Sequence, residues 1–205
     1  SDIPAILEHT QNVVFLEDRE MAVIKADAVE YLQLDGAPLA KQPQRITWDP
    51  ISAVKGKYRH FMQKEIYEQP QSIQDTIRGR VDFTTGKITL EELALSPAEA
   101  RALNRIIIVA CGTSAYAGLV GQFVLEKLAR INVSVEFASE FRYRDPLIDD
   151  KTVVLAITQS GETVDTLAAM EEGRKKGAKL WSIVNVQSSM AHRISNGSIL
   201  MHVGP

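Results

Sequence analysis

The sequence predicts an α/β protein, a three-layer α/β/α sandwich on a parallel sheet, and three observations predict it. From Asn104 onward, short apolar runs alternate with segments whose apolar residues recur at helical spacing. Two of the runs, Arg105-Ile106-Ile107-Ile108-Val109-Ala110 and Thr152-Val153-Val154-Leu155-Ala156-Ile157, are nearly continuous in β-branched and other apolar residues, as strands covered on both faces are. Helices between parallel strands return by right-handed crossovers, which puts helical layers against the sheet.

Residues 1–47 precede this pattern and read as β-rich. Asn12 to Glu17, Met21 to Lys25 and Ala28 to Leu34 are strand candidates, with an Asp35-Gly36 turn after the third. They suit a meander, yet about 40 residues bury little surface alone. The chain opens at Ser1-Asp2-Ile3-Pro4 without an initiator methionine, so this piece is expected to be the tail of a larger domain.

Residues 48–95 read as a linker with helices. Pro38, Pro43 and Pro50 mark a polar connector. A helix is expected from Tyr58 to Gln69, stopped by Pro70, which would open a second helix carrying Ile73 and Ile77 on one face and ending near Gly79.

Residues 96–205 hold the sandwich. Val133 to Phe137, Leu180 to Val184 and Ile199 to Val203 complete the strand set. Tyr116, Leu119, Val120, Phe123, Val124 and Leu128 are spaced for a helix after the first strand, and Val164, Leu167 and Ala168 for one after the third. The latter ends in Arg174-Lys175-Lys176-Gly177, cations at the negative end of the dipole before a glycine cap.

Composition narrows the function. Of the 205 residues 45% are apolar, enough for a packed core, and the net charge of −3 does not favour nucleic acid. No apolar run approaches the roughly 20 residues that span a bilayer, and no secretory signal is evident. One cysteine, Cys111, excludes an internal disulfide and fits a reducing, cytoplasmic setting. His60, His192 and His202 lack metal-ligand spacing, so neither a metal nor a cofactor is expected.

Open parallel sheets bind ligands beyond the carboxyl ends of their strands. Two of those ends lead into hydroxyl-rich loops that start helices: Cys111-Gly112-Thr113-Ser114 and Thr158-Gln159-Ser160-Gly161-Glu162-Thr163. A helix start offers unpaired N–H groups to an anion, and Gly112 and Gly161 allow close backbone approach. Ser and Thr before a helix are more often plain N-caps, but a pair of such loops on one sheet points to an anion. With no Lys or Arg in either loop, neutral donors holding a monophosphate are expected. Neither a Walker A sequence nor G-x-G-x-x-G occurs, which disfavours a nucleotide.

Val109-Ala110-Cys111-Gly112-Thr113-Ser114 with Gln159-Ser160-Gly161-Glu162-Thr163 resembles the sugar isomerase (SIS) domain. The run from Tyr58 to Pro70, and Ala138-Ser139-Glu140-Phe141-Arg142-Tyr143-Arg144, are similar to the glutamine–fructose-6-phosphate aminotransferase (isomerizing) family, which makes glucosamine 6-phosphate. The resemblance covers the whole chain: the end of a glutaminase domain to about residue 47, then the linker and first SIS domain. It implies that Thr113, Ser114, Ser160 and Thr163 bind the phosphate of fructose 6-phosphate or a related hexose phosphate, with Thr158 and Gln159 beside it. It also implies a homodimer. Thr158 stands where that family usually has serine, and Ala115-Tyr116 replaces commoner residues. The family's catalytic groups lie in its amino-terminal cysteine and second SIS domain, so no catalytic residue is assigned here and the chain alone is expected to be inactive. A phosphosugar-sensing SIS module is the alternative reading.

Other residues take plainer roles. Cys111 reads as a small core residue rather than a nucleophile. Glu162 would be repelled by a bound phosphate and reads as a helix-start carboxylate, not a base. Arg142 and Arg144 are candidates for a partner contact, with a solvated face as the default. Lys64, Glu65 and Glu68 read as exposed helix positions.

Overall fold

The computed structural model describes residues 6, 9–46 and 56–204, divided between compact units within residues 1–57 and 58–204. In the first, β1 (Asn12–Val13) is followed by β2 (Glu20–Ile24), β3 (Val29–Gln33), β4 (Pro38–Leu39) and β5 (Gln44–Arg45). β2, β3 and β4 form the antiparallel meander, while β1 pairs with β5 instead. The meander's third strand is therefore not the expected Asn12–Glu17 run but Pro38–Leu39, in the proline-marked polar stretch where no strand was expected. Pro38 is tolerated because β4 is an edge strand, where a missing N–H breaks no ladder. The Asp35-Gly36 turn forms, with the Ala37 N–H donating to Asp35 Oδ1 at 3.0 Å. Pro50 and the expected boundary at residues 47 and 48 lie outside the described residues.

The second unit opens with α1 (Phe61–Ile77), one helix where two were expected, with Pro70 inside it. A proline costs about 3 kcal/mol in a helix interior, but its ring removes only one hydrogen bond. Lys64, Glu68, Ser72 and Thr76 continue as one half-buried line on both sides of Pro70, so the helix keeps its face. Phe61, Met62, Ile66 and Ile73 are exposed. A hairpin of β6 (Val81–Asp82) and β7 (Lys87–Ile88), a 3-10 turn at Glu91–Leu93 and α2 (Pro97–Ala102) lead into the sandwich.

That sandwich runs β8 (Arg105–Ala110), α3 (Thr113–Ala129), β9 (Asn132–Phe137), α4 (Ala138–Phe141), β10 (Thr152–Thr158), α5 (Val164–Lys175), β11 (Lys179–Val184), α6 (Met190–Ile194) and β12 (Gly197–Leu200). The five strands are parallel in the order β12-β11-β10-β8-β9, a doubly wound arrangement that reverses between β8 and β10. Alternation along β8 divides the core. Ile106 and Ile108 join Val133, Val153 and Trp181 on one face, with Leu125 of α3 packed against them. Ile107 and Val109 join Val154, Ala156, Ala169, Met170 and Leu180 on the other, under α4, α5 and α6. α5 ends as its sequence requires: the Ala178 N–H reaches Gly173 O and the Gly177 N–H reaches Arg174 O, both at 3.0 Å, closing the helix on Gly177.

The last expected strand needs correction, and the expected helix after β8 shows which way its apolar line points. The last strand is Gly197–Leu200, not Ile199–Val203. Its partner β11 stops at Val184, so beyond Leu200 only the Met201 N–H bonds to it. The apolar line of α3 also faces outward: Tyr116, Leu119, Val120, Phe123, Val124 and Leu128 are all exposed. The fully buried positions of α3 are Ala115 and Gly118, and a Cβ on Gly118 would fall 2.9 Å from Ile108 Cγ2, so the helix approaches closely there, with Leu125 packed further along. Among the described residues no helix is long and apolar enough to cross a membrane.

Candidate functional site

β8 and β10 are neighbours in register, Ala110 facing Ile157, so the loops after them leave the same end of the sheet side by side. Each opens a substantial helix, α3 with 17 residues and α5 with 12. The site thus stands at the strand-order reversal, where an open parallel sheet splits its helices to opposite faces and leaves a crevice. Thr166, in the first turn of α5, places its hydroxyl 3.9 Å from Cys111 Sγ, tying the second helix to the first loop. Cys111 itself is half-buried and packed on the core.

The hydroxyl groups do not act as ordinary caps. α3 has Gly112 at its N-cap and α5 has Thr163, and neither receives a side-chain capping bond. Thr113 is exposed, while Ser114, Ser160 and Thr163 are half-buried. Inside the second loop, the Gly161 N–H donates to Thr158 Oγ1 and the Glu162 N–H to Ser160 Oγ, both at 3.2 Å. These bonds use oxygen lone pairs, so each hydroxyl keeps its proton to donate. Thr158 is buried beneath the loop, and Gln159 is exposed beside it.

Both loop glycines have positive φ, +57° at Gly112 and +72° at Gly161. A Cβ on Gly112 would meet nothing within 4 Å, whereas one on Gly161 would fall 2.0 Å from Ser189 Oγ. Gly112 serves backbone conformation; Gly161 serves conformation and packing.

Sequence reasoning missed the contribution of a third strand end. Residues 185–189 connect β11 to α6, and the Asn185 N–H donates to Gln159 O at 3.1 Å. The Ala191 N–H donates to Gly161 O at 3.0 Å, and the Met190 N–H to Glu162 Oε1 at 2.8 Å. The signal was present, since Asn185-Val186-Gln187-Ser188-Ser189 repeats the pattern of a strand, a polar loop and a helix. Glu162 does serve a helix start, but that of α6. Arg142 lies 3.6 Å from Asp165, and Arg144 lies 2.6 Å from Glu136, so both are paired within the chain. Among the described residues no cluster of His, Cys, Asp or Glu could hold a metal ion.

A five-stranded parallel sheet with two hydroxyl-bearing helix starts at its reversal point places the chain among the doubly wound α/β domains. The SIS domain family model matches residues 101–205, more than half of the chain, and the chain belongs to that family. Over its whole length it is 45% identical to glutamine–fructose-6-phosphate aminotransferase [isomerizing] of Symbiobacterium thermophilum and 44% identical to that of Caldanaerobacter subterraneus subsp. tengcongensis. It spans about a third of the length of those relatives, 34% of each. Among solved structures, the C-terminal domain of glucosamine-fructose-6-phosphate aminotransferase from Francisella tularensis matches 74% of this chain over 42% of its own, with a TM-score of 0.67 and 37% identity.

Proposed function

We propose that this chain is the part of a glutamine–fructose-6-phosphate aminotransferase that holds the phosphate of fructose 6-phosphate, in an enzyme making glucosamine 6-phosphate. The observation that carries the reading is the pair of uncapped helix starts, α3 and α5, lined by hydroxyls whose protons are uncommitted. Thr113 and Ser114 form one wall, and Ser160 and Thr163 the other, with Gln159 at the rim and Thr158 bracing the loop from below. A hydrogen bond to a charged oxygen contributes about 1.5–3 kcal/mol, against about 0.3–1 kcal/mol for a helix dipole. The side-chain hydroxyls therefore dominate. Ser160 gains further, because accepting the Glu162 N–H polarises its own O–H.

Identity to those aminotransferases along the whole of this chain, its β-rich start and helical linker included, supports the enzyme over a sensing module. The reading assigns binding to this chain and no catalytic residue, cofactor or metal, and it places the protein in the cytoplasm. Residues 1–47 are then the end of a glutaminase domain, 48–95 the linker region and 96–205 the first SIS domain. It further makes the chain a homodimer. The outward line of α3, where Tyr116, Leu119, Val120, Phe123, Val124 and Leu128 are exposed together, supports a covered face, since a contiguous exposed apolar patch of this kind ordinarily marks an interaction surface.

Titration with fructose 6-phosphate, inorganic phosphate and uncharged fructose tests the site. The two phosphates are expected to shift amide signals of residues 112–114 and 159–163, and fructose is not. Equal response to fructose, or shifts confined elsewhere, overturns the reading.

A further inference from the structure

We propose that Glu162 is a positioning residue of the phosphate site, acting through the first turn of α6; the inference rests on the phosphate reading above. Glu162 is the one charged side chain in residues 158–163, and a carboxylate beside a bound phosphate opposes binding by repulsion. The structure gives that carboxylate a task. Its Oε1 accepts the Met190 N–H at 2.8 Å, and Met190 is the first residue of α6.

Ordinarily the preceding serine would cap such a helix. Ser189 is the N-cap of α6 but its side chain makes no capping bond, and its buried Oγ has no partner. It lies instead against Gly161, where no side chain would fit. The cap comes from Glu162, 28 residues earlier in the chain. One residue on, the Ala191 N–H holds Gly161 O at 3.0 Å. Glu162 and Gly161 are thus pinned together to consecutive N–H groups of α6, and Asn185 holds Gln159 from the same side.

The pinned residues lie between Ser160 and Thr163, the two proposed ligands of that wall. Ligand hydroxyls contribute fully only when they are held near their binding positions before the anion arrives. Releasing Glu162 leaves the Met190 N–H uncapped and lets the loop between these hydroxyls relax. The cost of repulsion is exchanged for order.

The two effects separate by substitution. Glu162→Gln removes the charge and keeps a carbonyl oxygen for the Met190 N–H; Glu162→Ala removes both. Calorimetric titration of the 205-residue chain with fructose 6-phosphate and with inorganic phosphate would compare these variants with wild type and Ser160→Ala. Glu162→Ala is expected to bind roughly three- to tenfold more weakly, and Glu162→Gln at least as tightly as wild type. In Glu162→Ala, amide exchange at Met190 and Ala191 is expected to quicken while the β-sheet amides stay protected. If Glu162→Ala binds as well as wild type while Ser160→Ala is weakened, positioning by Glu162 is wrong and the phosphate site stands. If wild type shows no phosphate-dependent binding, or Ser160→Ala binds as tightly as wild type, both fall. Unchanged exchange at Met190 and Ala191 in Glu162→Ala overturns the joint itself, whatever the ligand does.

Discussion

Ser160 carries the sharpest test of the binding site, because its oxygen accepts the Glu162 N–H and its proton is left to donate to an anion. Replacing it with alanine removes one donor to a charged oxygen and is expected to weaken phosphate binding by roughly 1–3 kcal/mol. Lys175→Ala, at the far end of α5, should leave affinity unchanged; calorimetry with fructose 6-phosphate compares the two, and equal loss in both places the anion elsewhere. The glycines give a second contrast. Alanine at a positive φ costs on the order of 1–3 kcal/mol. Gly112→Ala is expected to lose about that much, having open space around it. Gly161→Ala should lose more in thermal unfolding, because its Cβ meets Ser189 as well. Equal losses would mean that the Ser189 contact relaxes freely.

Single elements show how local chemistry sets a boundary. α2 begins with a reciprocal capping box: the Glu99 N–H donates to Ser96 Oγ at 3.2 Å, and the Ser96 N–H donates to Glu99 Oε2 at 2.9 Å. Ser96→Ala is expected to cost about 1 kcal/mol in chemical denaturation. The bonds from Ser96, aided by Lys179 at 3.3 Å, hold the Glu99 carboxyl down at about 2. A depressed folded-state value means that the contribution is complete above the ordinary carboxylate range near 4.5 and is lost as pH falls toward 2. Glu99→Gln should therefore flatten the acid limb of the stability curve over that window, and an unaltered limb would remove Glu99 from it. In α1, Pro70 leaves the Ile66 carbonyl without its helical N–H partner. Pro70→Ala is expected to slow amide exchange through residues 64–74; no change would show that the helix already holds rigidly there.

At the scale of the whole molecule, the outward face of α3 sets the prediction. Sedimentation at micromolar concentration is expected to give a homodimer, and Phe123→Asp, an exposed change in the middle of that face, to give a monomer that melts as wild type does. A monomeric wild type would refute the association.

Most of the sandwich was legible. β8 spans the same residues as the run read from sequence, and β10 extends it only to Thr158, because a strand covered on both faces declares itself by unbroken apolar residues. The two loops were legible as strand ends followed by helices. Pro70, β4 and the end of β12 were not, since each depends on what lies beside it: a helix face, a neighbouring edge or the length of a partner strand. Likewise, the spacing on α3 revealed an apolar line but not its direction. Periodicity reports which residues of a helix share a face, and the small residues opposite chose the side that meets the sheet. The bond from Met190 to Glu162 lay beyond sequence reasoning for a related reason. Its partners are 28 positions apart and meet only because β10 and β11 are adjacent in the sheet, where pairing and not propensity sets the contact.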